Sequence, residues 1–203
     1  YAAEKAIELG AAVVAMSDSS GFIYDKNGID VDKLEIIKNI KEIRRGELSE
    51  CASKYPSMQF HKGKVWNVDC DIAFPCATQN ELDENDAKSL IANNIIAISE
   101  GANMPLTSSA TRALVDKDVL IGPGKAANAG GVAVSGLEMS QNSMHINWDR
   151  KNIDTRLQSI MLNIHGKCVQ HGKNKNKQIN YIKGANIAGF IKIANAMIAQ
   201  GIF

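Results

Sequence analysis

Short apolar runs alternate with amphipathic stretches along these 203 residues. Residues 2–9 space their apolar positions as a helix does, and Gly10 stops it. Residues 12–16 form a brief apolar run that predicts a buried strand. The cluster from Ser17 to Gly21 is turn chemistry. Phe22 to Tyr24, followed by Asn27-Gly28, predicts a small hairpin. Asp30 caps a helix running to about Arg45, with Leu34, Ile37, Ile40 and Lys41 on neighbouring turns. Gly46 ends it, and a shorter helix over 48–55 stops before Pro56.

The middle is more regular. Strands are predicted over 71–74, 95–98 and 119–121, and helices over 86–92 and from a Thr107 or Ser108 cap to about Val115. A Gly-rich loop follows over 122–131. Helices over 132–146, 152–170 and 185–200 close the chain, the last two joined by a polar loop over 172–178. Strands separated by helices imply parallel βαβ units. The expected class is therefore α/β, a Rossmann-like, doubly wound, mostly parallel sheet followed by C-terminal helices. In such sheets ligands bind beyond the carboxyl ends of the strands. That rule selects the loops after Met16, Phe74, Ile98 and Ile121. All four carry small or amide residues, as a mononucleotide or dinucleotide site requires.

Composition narrows the class. With 45% hydrophobic and 22% charged residues, collagen-like, coiled-coil and broadly disordered chains are excluded. Basic and acidic residues nearly cancel, 23 against 22, so no bulk charge draws the chain to nucleic acid or an anionic membrane. No apolar run approaches the roughly 20 residues of a membrane span. Cys51, Cys70, Cys76 and Cys168 form no C-x-x-C pair and read as free thiols of a reducing compartment, cytoplasmic or organellar. Cys70 and Cys76 flank a strand, which keeps a redox role as the lesser reading. His165, Cys168 and His171 lie near one helix end, but no fourth ligand is evident and no metal is predicted.

Candidate chemistry sits at the strand ends. Gly122-Pro123-Gly124-Lys125-Ala126-Ala127 fits G-x-G-x-x-A, yet Pro123 removes a backbone donor and the expected helix start, Gly130 or Gly131, lies too far on. The segment reads instead as a loop of small residues that lets a ligand approach closely. Asp18 ends a strand, where a carboxylate accepts from adenosine ribose hydroxyls or simply closes a turn. Lys41 and Arg44, three apart on a helix, form either a pair of cations for a 2′-phosphate or a solvated helix end. Gln79, Asn80, Asn103 and Asn128 are amides on loops, able to give a nicotinamide carboxamide both donor and acceptor.

Three segments together carry a longer likeness: Pro75-Cys76-Ala77-Thr78-Gln79-Asn80-Glu81-Leu82, Glu100-Gly101-Ala102-Asn103-Met104-Pro105, and the run GPGKAANAGGVAVSGLEMSQNS. With Lys183-Gly184-Ala185-Asn186-Ile187-Ala188-Gly189-Phe190 they resemble hexameric, NADP-type glutamate dehydrogenases, over essentially the whole chain. The resemblance implies a dinucleotide-binding domain over 1–147 and a helical segment over 148–203 that returns toward a substrate domain. It implies that Ser17, Asp18 and Ser19 meet the adenosine ribose, and that Lys41 and Arg44 hold the 2′-phosphate. Ala77, Thr78, Gln79, Gly101, Ala102 and Asn103 would line the dinucleotide. Asn128 would stand at the junction of nicotinamide and substrate. Val132 and Ser135 would form the substrate side-chain pocket, and Lys125 would not be the catalytic lysine.

The family's catalytic lysine and aspartate are expected in an N-terminal domain before Tyr1. So are the first strand of the cofactor domain and the true glycine fingerprint, with 2–9 as the helix that follows it. The chain would then hold no catalytic residue and would not turn over alone. The activity implied is reversible, NADP-dependent oxidative deamination of L-glutamate to 2-oxoglutarate and ammonia, in a homo-oligomer of hexameric type, with NAD as the other cofactor. Two further readings are an amino-acid dehydrogenase for leucine, valine or phenylalanine, which Ser135 disfavours, and a non-catalytic nucleotide-binding module.

Overall fold

The computed structural model describes residues 1–174 and 178–201. Its contacts gather into two compact units, Tyr1–Asp71 with Glu84–Ile95, and Ile72–Asp83 with Ile96–Phe203.

The first unit contains α1 (Ala2–Glu8), β1 (Val13–Asp18), β2 (Gly21–Ile29), α2 (Val31–Lys38), α3 (Ser49–Ala52), β3 (Met58–His61) and α4 (Glu84–Ala92). Strand β2 pairs antiparallel with β1 on one side and with β3 on the other. This corrects the parallel role expected for residues 12–16. The physical cause is the connection. Only Ser19 and Ser20 join β1 to β2, and a parallel pair needs a crossover of a dozen residues or more. Asp18 closes that turn by accepting from the backbone N–H and hydroxyl of Ser20 at 2.8 and 2.6 Å. Gly21 has φ +149°, and a Cβ there would overlap the His61 carbonyl oxygen of β3. The hairpin therefore turns at Ser19-Ser20, and Asn27-Gly28 lies inside β2 rather than at the tip. Strand β3 is an addition to the expected elements: Met58, Gln59, Phe60 and His61 do alternate, but over only four residues, too short a run to stand out without its partner β2.

The core of this unit joins Ile23, Ile29, Leu34, Ile37, Ile40, Leu48, Cys51 and Met58. Each buried Ile or Leu contributes at most roughly 1.5–3 kcal/mol. Asp30 caps α2 as expected, accepting from the Lys33 N–H at 2.9 Å. The helix does not continue regularly to Arg45. It loosens into one π-helical turn over Asn39–Ile43, which still buries Ile40. Asp25, in the middle of β2, is fully buried. Lys33, Ser57 and the Asn27 N–H all donate to it, at 2.8, 2.8 and 2.9 Å. Those bonds outweigh the cost of burial and lower its carboxyl.

The second unit holds β4 (Ile72–Ala73), β5 (Ala97–Ser99), α5 (Ser108–Val115), β6 (Leu120–Gly122), α6 (Gly124–Ala127), α7 (Ala129–Ser143), α8 (Arg150–Gly172) and α9 (Tyr181–Gln200). Strands β4, β5 and β6 form a parallel sheet in that order. The α/β expectation of parallel strands separated along the chain by helices holds for this part. Thr107 is the cap of α5, accepting from Ala110 N–H. Two helices begin earlier than expected. α6 starts directly after Pro123, inside the span taken as open loop, and α7 starts at Ala129. Of the polar connection predicted over 172–178, residues 175–177 lie outside the described residues. Helices α8 and α9 cross closely, because a Cβ on Gly184 would overlap the Cys168 carbonyl. That crossing buries Cys168. Among the described residues no helix is long and apolar enough to cross a membrane.

Candidate functional site

The candidate residues fall into two groups, one in each unit. In the first unit Ser17, Asp18 and Ser19 stand at the end of β1 and the start of its turn, with both serines exposed. Asp18 is the hub. Besides Ser20 it binds Lys41, whose Nζ lies 2.6 Å from Oδ2, and the Leu48 N–H at 3.4 Å. Burial raises an aspartate, but the bonds from Lys41 and Ser20 outweigh it and hold this carboxyl down at about 2. Lys41 also donates to the Gly46 carbonyl at 3.0 Å. Arg44 takes a different carboxylate, with Nη2 2.6 Å from Glu50 Oε2. Lys41 and Arg44 are thus each paired with an acid. Glu50 was not foreseen. It lies six residues beyond Arg44, and only the turn through Arg45, at φ 57°, brings it back.

In the second unit the carboxyl ends of three parallel strands feed three loops, and these loops are fastened to one another. Gly101 and Ala102 N–H both donate to the Pro75 carbonyl at 3.0 Å. Asn80 N–H donates to Met104, Leu82 to Pro105 and Thr107 to Leu82, at 3.0, 3.0 and 3.1 Å. This ladder holds Met104 at φ 50°, a left-handed conformation that costs an ordinary residue about 1–2 kcal/mol. Glu81 fixes the other end of the first loop, accepting from Ala77 N–H at 2.9 Å. Ala77, Thr78, Gln79, Gly101 and Asn103 are exposed on this edge, while Ala102 and Asn128 are half-buried.

Asn128 caps the arrangement. Its Nδ2 donates to the Ala102 carbonyl and to Asn103 Oδ1, both at 3.0 Å. Those two bonds use both amide hydrogens, so what Asn128 offers a ligand is an acceptor oxygen. Glu100 stands behind it, 8% exposed, with Oε2 accepting from the Gly124 N–H. Burial pushes its carboxyl up, against the lowering effect of the N–H bonds from Gly124 and Leu106. The sequence signal for Glu100 was present, an acid directly after a strand. Its partner could not be read, because Gly124 is reached only through the next βα unit.

Val132 and Ser135 share one face of α7 and are both exposed, Val132 to 78%. The Ser135 hydroxyl donates to the Gly131 carbonyl at 3.2 Å. Lys125 donates to Asn186 on α9. The four cysteines are free. His165 packs its ring on Tyr181, with centroids 5.6 Å apart. Among the described residues no group of three or more His, Cys, Asp or Glu gathers as metal ligands.

A parallel sheet with small and amide residues on its strand-end loops defines a nucleotide-binding class of α/β protein. The chain belongs to the glutamate/leucine/phenylalanine/valine dehydrogenase family, whose model it matches over residues 1–201. A family of dehydrogenases implies a nicotinamide cofactor. The chain is 54% identical to a glutamate dehydrogenase of Bacteroides thetaiotaomicron, covering all of this chain and 46% of that protein. It is 51% identical to the NADP-specific glutamate dehydrogenase of Haemophilus influenzae, over all of this chain and 45% of that one. The solved structure of Plasmodium falciparum glutamate dehydrogenase 2 superposes with a TM-score of 0.92 at 46% identity, covering 99% of this chain and 44% of that one. The chain therefore spans a little under half the length of the relatives it matches.

Proposed function

We propose that this chain supplies the cofactor-binding part of an NADP-dependent glutamate dehydrogenase, which interconverts L-glutamate with 2-oxoglutarate and ammonia. One observation carries the reading: three interlocked loops, rich in small and amide residues, edge a parallel sheet in a chain similar along its whole length to glutamate dehydrogenases. Residues 1–147 would form a Rossmann-like dinucleotide domain, and 148–203 the helices that return to a substrate domain.

The residues present fit a nicotinamide dinucleotide. Bound there, it supplies hydride transfer to and from the substrate α-carbon. Ala102 and Ala77 leave room for close approach, Gly101 lets its loop pack on Cys76 at the same edge, and Thr78, Gln79 and Asn103 offer polar contacts along it. Asn128 presents its oxygen to a carboxamide N–H. Ser17, Asp18 and Ser19 take the adenosine ribose, and Lys41 and Arg44 take the 2′-phosphate by exchanging their carboxylate partners for it. Val132 and Ser135 take the substrate side chain, the Ser135 hydroxyl turning from Gly131 to the γ-carboxylate.

The acid–base lysine and aspartate implied by the resemblance belong to the remainder of the full-length protein. The resemblance also implies a homohexamer, and the free cysteines fit a reducing compartment such as the cytoplasm. The test is an assay of the full-length protein with 2-oxoglutarate, ammonia and each reduced cofactor; no cofactor oxidation sinks the reading. Ser135→Ala should raise the KM for glutamate by about tenfold, the cost of one lost hydrogen bond to a charged group. An unchanged KM would favour an apolar amino acid as substrate.

A further inference from the structure

Among the described residues Glu100 is the one buried carboxylate in the second unit, and none of the roles above uses it. Its side chain faces inward, and its Oε2 accepts from the backbone. The donor is the Gly124 N–H, the first residue of α6. A Cβ placed on Gly124 would lie 3.0 Å from the Ala102 carbonyl and 3.3 Å from both Asn128 Nδ2 and Glu100 Oε2. Glu100, Gly124, Ala102 and Asn128 therefore meet at one point. Gly124 also sits one helical turn before Asn128, whose N–H donates to the Gly124 carbonyl at 3.0 Å. Wherever Glu100 holds Gly124, Asn128 must follow.

We infer that Glu100 is a positioning residue: it ties the β5 loop to the start of α6 and so sets the Asn128 carboxamide against Ala102 and Asn103. It touches no ligand itself. It acts by fixing how far the Asn128 oxygen stands from whatever occupies the loop edge, which rests on the reading of that edge as the nicotinamide subsite. A buried carboxylate accepting a backbone N–H is well suited to this, since charge-assisted bonds are short and directional. Its reach matters more than its charge.

Two variants separate reach from charge in the full-length protein. Glu100→Asp keeps the charge but withdraws it by one methylene. Glu100→Gln keeps the reach and one accepting oxygen for Gly124. Glu100→Asp should lower kcat/KM for the reduced cofactor on the order of 10²-fold, the cost of a misplacement near 1 Å. Glu100→Gln should lose less, and the KM for ammonia should move less than that for the cofactor in both. Amide exchange at Gly124 should quicken in Glu100→Asp and stay slow in Glu100→Gln. Wild-type kinetics and exchange in Glu100→Asp, or a larger loss in Glu100→Gln, would overturn the inference. If the wild type fails to oxidise either cofactor, the functional reading falls instead. Exchange at Gly124 then still decides what Glu100 holds.

Discussion

The two groups of candidate residues are built on different physics. In the first unit the end of β1 is organised by side-chain charge: Asp18 with Lys41, and Glu50 with Arg44. In the second unit the strand-end loops are organised by backbone groups, with Pro75, Ala102, Met104 and Pro105 carbonyls as acceptors. Charge pairs at a surface exchange partners readily and are screened by salt. A ladder of backbone bonds is fixed by the chain path and responds to neither. The first arrangement suits selection between ligands that differ by a phosphate. The second suits holding one ring in one orientation.

The largest expected effect falls on the backbone-built group. Asn128→Leu removes two hydrogen bonds and the acceptor oxygen while keeping the volume. Unpaired partners cost about 1–3 kcal/mol, so kcat/KM should fall by about 10- to 100-fold with either cofactor. Steady-state kinetics with both cofactors checks this, and a loss confined to NADP would break the contrast. Next comes Lys41→Ala, which should weaken NADP binding about tenfold and leave NAD nearly unchanged, as calorimetric Kd values would show. If NADP binds the variant as well as the wild type, Lys41 does not hold the phosphate.

Acid titration separates the groups by sign. The Asp18 carboxyl lies at about 2, below the ordinary 3.8, so its bonds add stability that is complete above 3.8 and lost as pH falls toward 2. Glu100 is pushed the other way by burial. The folded protein holds that proton more tightly than the unfolded chain, so stability rises as pH falls through its raised value. Urea unfolding at stepped pH should show Asp18→Asn flattening the acid loss and Glu100→Gln removing the gain. The smallest effect is expected from Glu50→Gln. It frees Arg44 from an exposed pair worth about 0–1 kcal/mol, so NADP should bind at most a few-fold tighter, and the difference should fade at high salt.

Much of this could be read from local pattern. The Asp30 and Thr107 caps, the three parallel strands and the loops at 75–80 and 100–105 all follow from residues close in the chain. Where the reading failed, the partner was distant or the connection was misjudged. Residues 12–16 had the composition of a parallel strand, but a two-residue turn made β1 antiparallel. Lys41 and Arg44 were placed on one helical face, and a π-helical turn sent them to separate acids. Asp25 in the middle of a buried strand gave no hint of Lys33 and Ser57.

The sequence by itself determined most of the helices, though not α6, as well as where the strand-end loops fall and which residue types they carry. Those features depend on spacing, capping and turn chemistry within a few residues. Tertiary structure alone decided which charges are spent on each other, that the loops are tied into a single ladder, and that Glu100 reaches Gly124. Each of these joins groups from separate turns of the fold. Their pairing depends on where the chain returns in space, which no local pattern encodes.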